Sequence, residues 1–370
     1  MRLPLITNRA AKPSETKKIA HSRAAHHKGT APKTSPESEA SEARARNETP
    51  HNLQHSTARN QHRTAPKAPR SAGAWPLGHA ADLGYLARRL EADQSVRVLA
   101  SGANEPFPRT LDGVDAGGAR VADEVRQVAS DFKTISFVGN SLGGLYARAA
   151  LRELRDAERD TFAGLTPAVF VTTAAPHLGA RQTTYGPLAP LLRLLPSFVS
   201  IARSARDAML QTSTVEELSC CEALAALALF PKRRAYGSAA GDFMVPTASA
   251  LFTAASSDEL RAAGMRLGSE DAPANGAAYL IRDLDGVAAK LPPAEAELAA
   301  ALDSVGFERV MIEFESPGPL GTPFAHNKLV ALERRPGPTA SLIKYLELTA
   351  DGRPVMDGLA RYILEELAAF

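Results

Sequence analysis

In DLGYLARRLEA (82–92), Leu83, Leu86 and Leu90 recur at helical spacing, which predicts an amphipathic helix. VRVLAS (96–101) is a short apolar run that predicts a strand. GVDAGGARVADEVRQVASDF (113–132) returns to the helical period through Val121, Val125 and Val128. KTISFVG (133–139) then predicts a strand, LGGLYARAALREL (142–154) a helix and AVFVTTAAP (168–176) a further strand. KRRAYGSAAGDFMVP (232–246) predicts a strand feeding a loop, RVMIEF (309–314) a late strand and LARYILEELAAF (359–370) a closing helix. Alternating strand and helix argue for an α/β fold: a mainly parallel sheet with helices on both faces. Residues 187–230 are a Leu- and Ala-rich helical block, read either as core helices or as a lid or acyl-chain pocket. Residues 254–307 are Ala-rich with interspersed charge, which predicts surface helices or an insertion.

Composition divides the chain. Residues 1–74 contain no Phe, Trp or Tyr, carry 14 Lys/Arg against 5 Asp/Glu, and hold six of the nine histidines. A stretch so poor in large apolar groups cannot offset its ordering entropy by burial, so 1–74 is expected to be a disordered basic tail and 75–370 a single folded domain. The tail's charges are scattered among Pro, Ser and Ala without aromatics for stacking, and this argues against nucleic acid as a partner. Eight basic residues and one acid, Glu15, in residues 1–36 fit a plastid or mitochondrial targeting segment. The adjacent pair Cys220 and Cys221 makes neither a disulfide framework nor a metal set, so an intracellular location, cytoplasmic or organellar, is expected. No stretch reaches the roughly 18 uninterrupted apolar residues of a membrane span, and PLAPLLRLLPSFVSIA (187–202) is broken by Pro190, Arg193 and Pro196.

The strand-to-helix junction carries Gly139-Asn140-Ser141-Leu142-Gly143. A serine in such a turn is either a packing residue or a nucleophile held strained and exposed, with small neighbours permitting the turn. The helix N-terminus behind it supplies amides and a positive dipole end, which makes the Leu142 N–H a natural oxyanion donor. The hydroxyl needs a histidine to take its proton. Outside the tail stand His79, His177 and His326. The chain order Ser, acid, His excludes His79, and His177 follows the serine too soon, so the base is expected at His326. Asp242, on a loop directly after a predicted strand, is the preferred acid over Asp258 and Glu259, and its alternative is a turn aspartate bonding its own backbone.

These segments, with FVTTAAPHLGAR and FAHNKLV, occur in the order seen in the lipase-like serine esterases of the α/β-hydrolase superfamily, and the chain resembles that family over about 76–370. The resemblance implies hydrolysis of a small-molecule or lipid carboxylic ester, with Ser141, Asp242 and His326 at the triad positions and no metal or organic cofactor. Peripheral membrane association is a compatible partner mode. One departure stands out. The family opens with an apolar strand ending in His-Gly, whose loop gives the second oxyanion donor, whereas here Ala74 and Trp75 hold those positions and Pro76, without an N–H, holds the donor's. The first strand is therefore expected to be missing or degraded. Two alternatives follow: a hydrolase-fold binding protein with an incomplete oxyanion hole, and an acyltransferase using the same three residues.

Overall fold

Eight strands form one sheet in the order β2-β1-β3-β4-β5-β8-β7-β6. They are β1 (Pro4–Asn8), β2 (Val96–Ala100), β3 (Thr134–Asn140), β4 (Thr166–Thr173), β5 (Lys232–Ser238), β6 (Met265–Arg266), β7 (Gly276–Ile281) and β8 (Glu308–Phe314). The computed structural model describes residues 4–8, 80–105, 109–180, 203–282, 284, 290–315, 324–333 and 349–370, all within one compact unit of the chain. The four central strands β3, β4, β5 and β8 run parallel, while β1 is antiparallel to both its neighbours and β7 to both of its own. Six of the eight strands therefore point the same way, and the architecture is α/β-hydrolase-like.

Side-chain alternation along the central strands builds two cores, one on each face. Phe137, Phe170 and Met311 point into the first, with Val121 and Val125 of α2 (Val114–Val128) and Leu145 and Leu151 of α3 (Leu142–Leu154). Val138, Val171, Val310 and Ile312 point into the second. There they meet Leu86 and Leu90 of α1 (Gly84–Glu91) and Leu359 and Ile363 of the closing helix Arg353–Leu367. Period-two strands between period-3.6 helices make this three-layer arrangement the way to bury both faces of a parallel sheet. The first core is aromatic: Phe230 lies 5.2 Å from Phe162, 5.6 Å from Phe170 and 6.1 Å from Phe137 between ring centroids.

Two expectations are corrected. The slot beside β3 is not empty: Pro4–Asn8, inside the segment read as a tail, fills it with Leu5 opposite Phe137 and Ile6 opposite Ser136. Leu5, Ile6 and Thr7 are good strand formers and Pro4 stands at the first position, where a missing N–H is tolerated. Within 254–307, GAAYLI (276–281) is a sheet strand antiparallel to β8, with Ala278 and Ile281 fully buried. Its small alanines mask a strand as a surface segment. Of the 187–230 block, Arg203–Ala208, Thr214–Glu217 and Cys221–Ala228 are helical, and the last lays Ala226 and Leu227 into the first core. Residues 187–202, the remainder of the tail, and Ala74 to His79 lie outside the described residues. No helix among the described residues is long and apolar enough to cross a membrane.

Candidate active site

The carboxyl ends of β3, β5 and β8 lie on one sheet edge, since these strands are parallel, and each leads into a segment carrying one predicted site residue. Ser141 follows β3 immediately. Its backbone sits at φ 55°, ψ −131°, a region that side chains other than glycine rarely adopt. What holds it there is local. Ser141 N–H donates to Thr173 O at 2.8 Å, binding the turn to the end of β4, and Gly144 N–H donates to Ser141 O at 2.9 Å. Thr173 Oγ1 donates to Asn140 Oδ1 at 3.0 Å, a second tie between the same two strand ends.

The turn closes because two positions have no side chain. A Cβ at Gly139 would stand 2.6 Å from Gly144 Cα and 2.9 Å from Gly143 O, both backbone atoms that cannot swing away. At Gly144 it would stand 2.5 Å from Ala175 Cβ. We expect Gly139→Ala to lower stability by about 3 kcal/mol, at the upper end of what overpacking costs. A urea unfolding midpoint unchanged from the parent would contradict this account of the turn. One expectation is corrected: Ser141 is strained but not exposed, with 2% of its surface accessible. The junction is enclosed by its own packing, and the low-dielectric setting strengthens any charge interaction there.

Asp242 lies four residues beyond β5, and His326 is the second residue of the short helix Ala325–Leu329 that follows β8. The structure brings these two together, with His326 Nδ1 2.8 Å from Asp242 Oδ2. The other carboxylate oxygen, Oδ1, accepts the N–H groups of Met244 and Val245, each at 2.9 Å. Thus the turn reading and the partner reading of Asp242 both hold, one oxygen serving each. Burial of the imidazole disfavours its charged form, but the carboxylates of Asp242 and Asp82 outweigh that, and the His326 pKa lies above 6.5.

Asp82 was not among the expected site residues. It stands in the 3₁₀ turn Ala80–Leu83 that leads into α1, is 6% accessible, and acts electrostatically on His326. The DL pair in DLGYLARRLEA was the available signal, but the helical period around it accounted for the segment without chemistry. His177, by contrast, is a buried structural group. Arg148 has donors alone to offer, so its contact with His177 Nδ1 at 3.3 Å makes that nitrogen the acceptor. Nε2 therefore carries the proton toward Thr172 Oγ1 at 2.9 Å. Burial, and then the charge of Arg148, push the His177 pKa well below 6.5 and keep the ring neutral. Arg148 also donates to Leu218 O at 2.6 Å and Ser219 Oγ at 2.7 Å, and burial draws its own pKa down to about 10. This network ties α3, the helix that begins at Ser141, to the helical segment at 214–220.

β1 has a consequence for the site. Because it runs antiparallel to β3, its carboxyl end, Asn8, lies at the edge opposite Ser141. The residues directly following Asn8 therefore leave the sheet at the edge away from the serine.

A mainly parallel sheet, a strained serine at a strand-to-helix turn and a histidine–aspartate pair after parallel strands of that sheet make an α/β-hydrolase-like arrangement. Residues 76–258 match the family described as "Putative serine esterase (DUF676)", a stretch that includes Ser141 and Asp242 and ends before His326. Among curated proteins the chain is similar to one named "Putative lipase ROG1" from Saccharomyces cerevisiae, 30% identical over 185 residues. That match covers 46% of this chain and 26% of the relative, so the chain spans about a quarter of the relative's length. No solved structure matches.

Proposed function

We propose that this protein hydrolyses carboxylic esters through an acyl-enzyme on Ser141, and that residues 75–370, completed by the strand Pro4–Asn8, form the hydrolase domain. The observation that carries the reading is the 2.8 Å His326–Asp242 bond on the sheet edge where the strained serine stands. Ser141 Oγ attacks the ester carbonyl carbon as His326 Nε2 takes its proton. Asp242 fixes the Nδ1–H tautomer and stabilises the imidazolium. The N–H of Leu142, at the first position of α3, donates to the oxyanion, aided by the positive end of the helix dipole. Collapse expels the alcohol, which takes the proton from His326. Water then attacks the acyl carbon with His326 again as base, giving the acid and the free serine. The donor set calls for no metal or organic cofactor.

The substrate proposed is an ester with an apolar acyl chain. Phe243 and Met244, adjoining Asp242, and Phe324, two residues before His326, are three of the five exposed large hydrophobic residues described. Aromatic and Met side chains around a charged pair form a rim suited to an acyl chain or a lipid surface rather than to a polar head group. In a p-nitrophenyl ester series, kcat/KM is expected to rise from acetate to octanoate by about tenfold or more, since each buried methylene contributes about 0.8 kcal/mol. A flat or falling series would remove the acyl-chain assignment while leaving hydrolysis intact.

A second reading rests on the reversed β1: the fold is retained to bind an ester or acyl group, and turnover is weak because the second oxyanion donor is lacking. Losing one such donor costs on the order of 10²- to 10³-fold. Ester turnover that Ser141→Ala abolishes separates the two, because the binding reading predicts that parent and alanine variant bind alike and neither hydrolyses the ester appreciably.

A further inference from the structure

β2 pairs with β1 at all five of its positions, from Pro4 opposite Ala100 to Asn8 opposite Val96, and no other strand among the described residues pairs with it. The sheet is continuous from β2 to β3 solely through β1. Yet β1 is foreign to its surroundings in sequence. Residues 9–79, 71 in number, separate it from the next described element. A short loop would bind a strand to its own sheet. Seventy-one residues could span at most about 230 Å, a reach sufficient for the sheet of its own chain or that of a neighbour.

We propose that Pro4–Asn8 is a detachable strand, and that the slot between β2 and β3 binds the same segment from a second copy of this chain. Recognition is by backbone pairing. The slot offers the inner edges of two strands at once, so an inserted segment pairs at five positions with β2 and at two more with β3, where an edge-docking peptide pairs on one side alone. The antiparallel direction is set by the register, Leu5 facing Phe137 and Leu99, Ile6 facing Ser136 and Val98. β3 is buried along its whole length, which makes an empty slot costly and an occupied one favoured whichever chain supplies the strand. A tethered strand competes with a free one at an effective concentration in the millimolar range or below, so exchange grows with protein concentration and closed pairs form by mutual donation. This inference is independent of the ester chemistry.

The test uses a fluorescent synthetic peptide of residues 1–11 and two acceptors, the chain beginning at Lys12 and the full chain carrying Ile6→Pro. The peptide is expected to bind both acceptors saturably, and about tenfold more weakly when it carries Ile6→Pro itself, which removes a donor and crowds the pairing. Two differently tagged full-length copies are expected to co-purify after mixing at high concentration and to separate when excess peptide is added. Should the chain from Lys12 fail to fold alone, the Ile6→Pro chain carries the measurement. Peptide binding that is absent, or indifferent to the proline, overturns the slot. Tagged copies that never co-purify overturn the second copy as its occupant.

Discussion

Replacing Ser141 by alanine is expected to abolish fluorophosphonate labelling and to lower kcat for ester hydrolysis by on the order of 10⁴- to 10⁶-fold, with the fold unchanged. The two halves of that result come from different atoms. The hydroxyl supplies the nucleophile, and nothing else in the turn replaces it. The backbone at φ 55° is maintained by the bonds from Ser141 N–H to Thr173 O and from Gly144 N–H to Ser141 O, which alanine keeps. Alanine has the same Cβ and so the same strain. Ser141→Gly removes that Cβ, and relief of the unfavourable conformation is expected to raise stability by about 1 kcal/mol while leaving the protein inactive. A stabilised, dead glycine variant beside a neutral, dead alanine variant would identify the turn as a place where the fold gives up stability for a reactive hydroxyl. Labelling that survives Ser141→Ala would place the nucleophile elsewhere. A parent protein that turns over esters no faster than the alanine variant would favour the binding reading.

The same turn explains why so much was legible in the sequence. Strong strand and helix periods flank Gly139–Gly144, and each side of the turn carries its own signal: an apolar run into it, a Leu-and-Ala helix out of it. β4 and β8 were readable because central parallel strands are buried on both faces and show as apolar runs, whereas β5 opens on Lys232, Arg233 and Arg234 and stood out only as a segment feeding a Gly-Asp loop. β1 was not. Five residues beginning with proline, inside a basic segment without aromatics, carry too little pattern to stand out, and their partner Phe137 is more than a hundred positions away. GAAYLI was lost for a different reason, since its pairing with β8 is antiparallel and its alanines suggest nothing about burial. Sequence pattern reports local preference; which segment fills a gap in a sheet is decided by the gap.

The site divides along the same line. Ser141, Asp242 and His326 were selected by chain order and by position after strands, both of which are linear properties. Asp82 acts on His326 across a separation of more than two hundred residues. It sits in a segment whose helical period was sufficient explanation, so no linear reading selects it. The oxyanion question shows the reverse. The sequence pointed to a missing strand and a proline at the donor position, and the structure supplies the strand but turns it round. The slot is filled and the donor loop is still not provided by the strand that fills it.

Asp242→Asn separates the structural from the chemical use of this aspartate and moves the pH profile in a direction that can be worked out in advance. Oδ1 bonds to Met244 N–H and Val245 N–H, and an asparagine oxygen in that place keeps both. At the other position the carboxylate oxygen accepts from His326 Nδ1–H, whereas an amide NH₂ would donate to Nδ1 and leave the proton on Nε2. That tautomer cannot take a proton from Ser141, so kcat is expected to fall by about 10⁴ with the loop intact. In the parent, burial opposes the imidazolium while Asp242 and Asp82 favour it more strongly, so the His326 pKa lies above 6.5. With neutral His326 as the proposed base, kcat/KM is expected to rise with pH through a midpoint above 6.5. Removing the charge of Asp242 leaves burial opposed by Asp82 alone, and the acid limb of the residual activity moves to lower pH. Stability follows by linkage: a histidine whose pKa is raised on folding stabilises the protein below the unfolded pKa, and that contribution is lost as pH rises through the folded value. The Asn variant should accordingly lose stability at pH 5 and little at pH 9. Equal losses at the two pH values, or an acid limb that does not move, would show that Asp242 is a turn residue and that another carboxylate, Asp82 first, orients the imidazole.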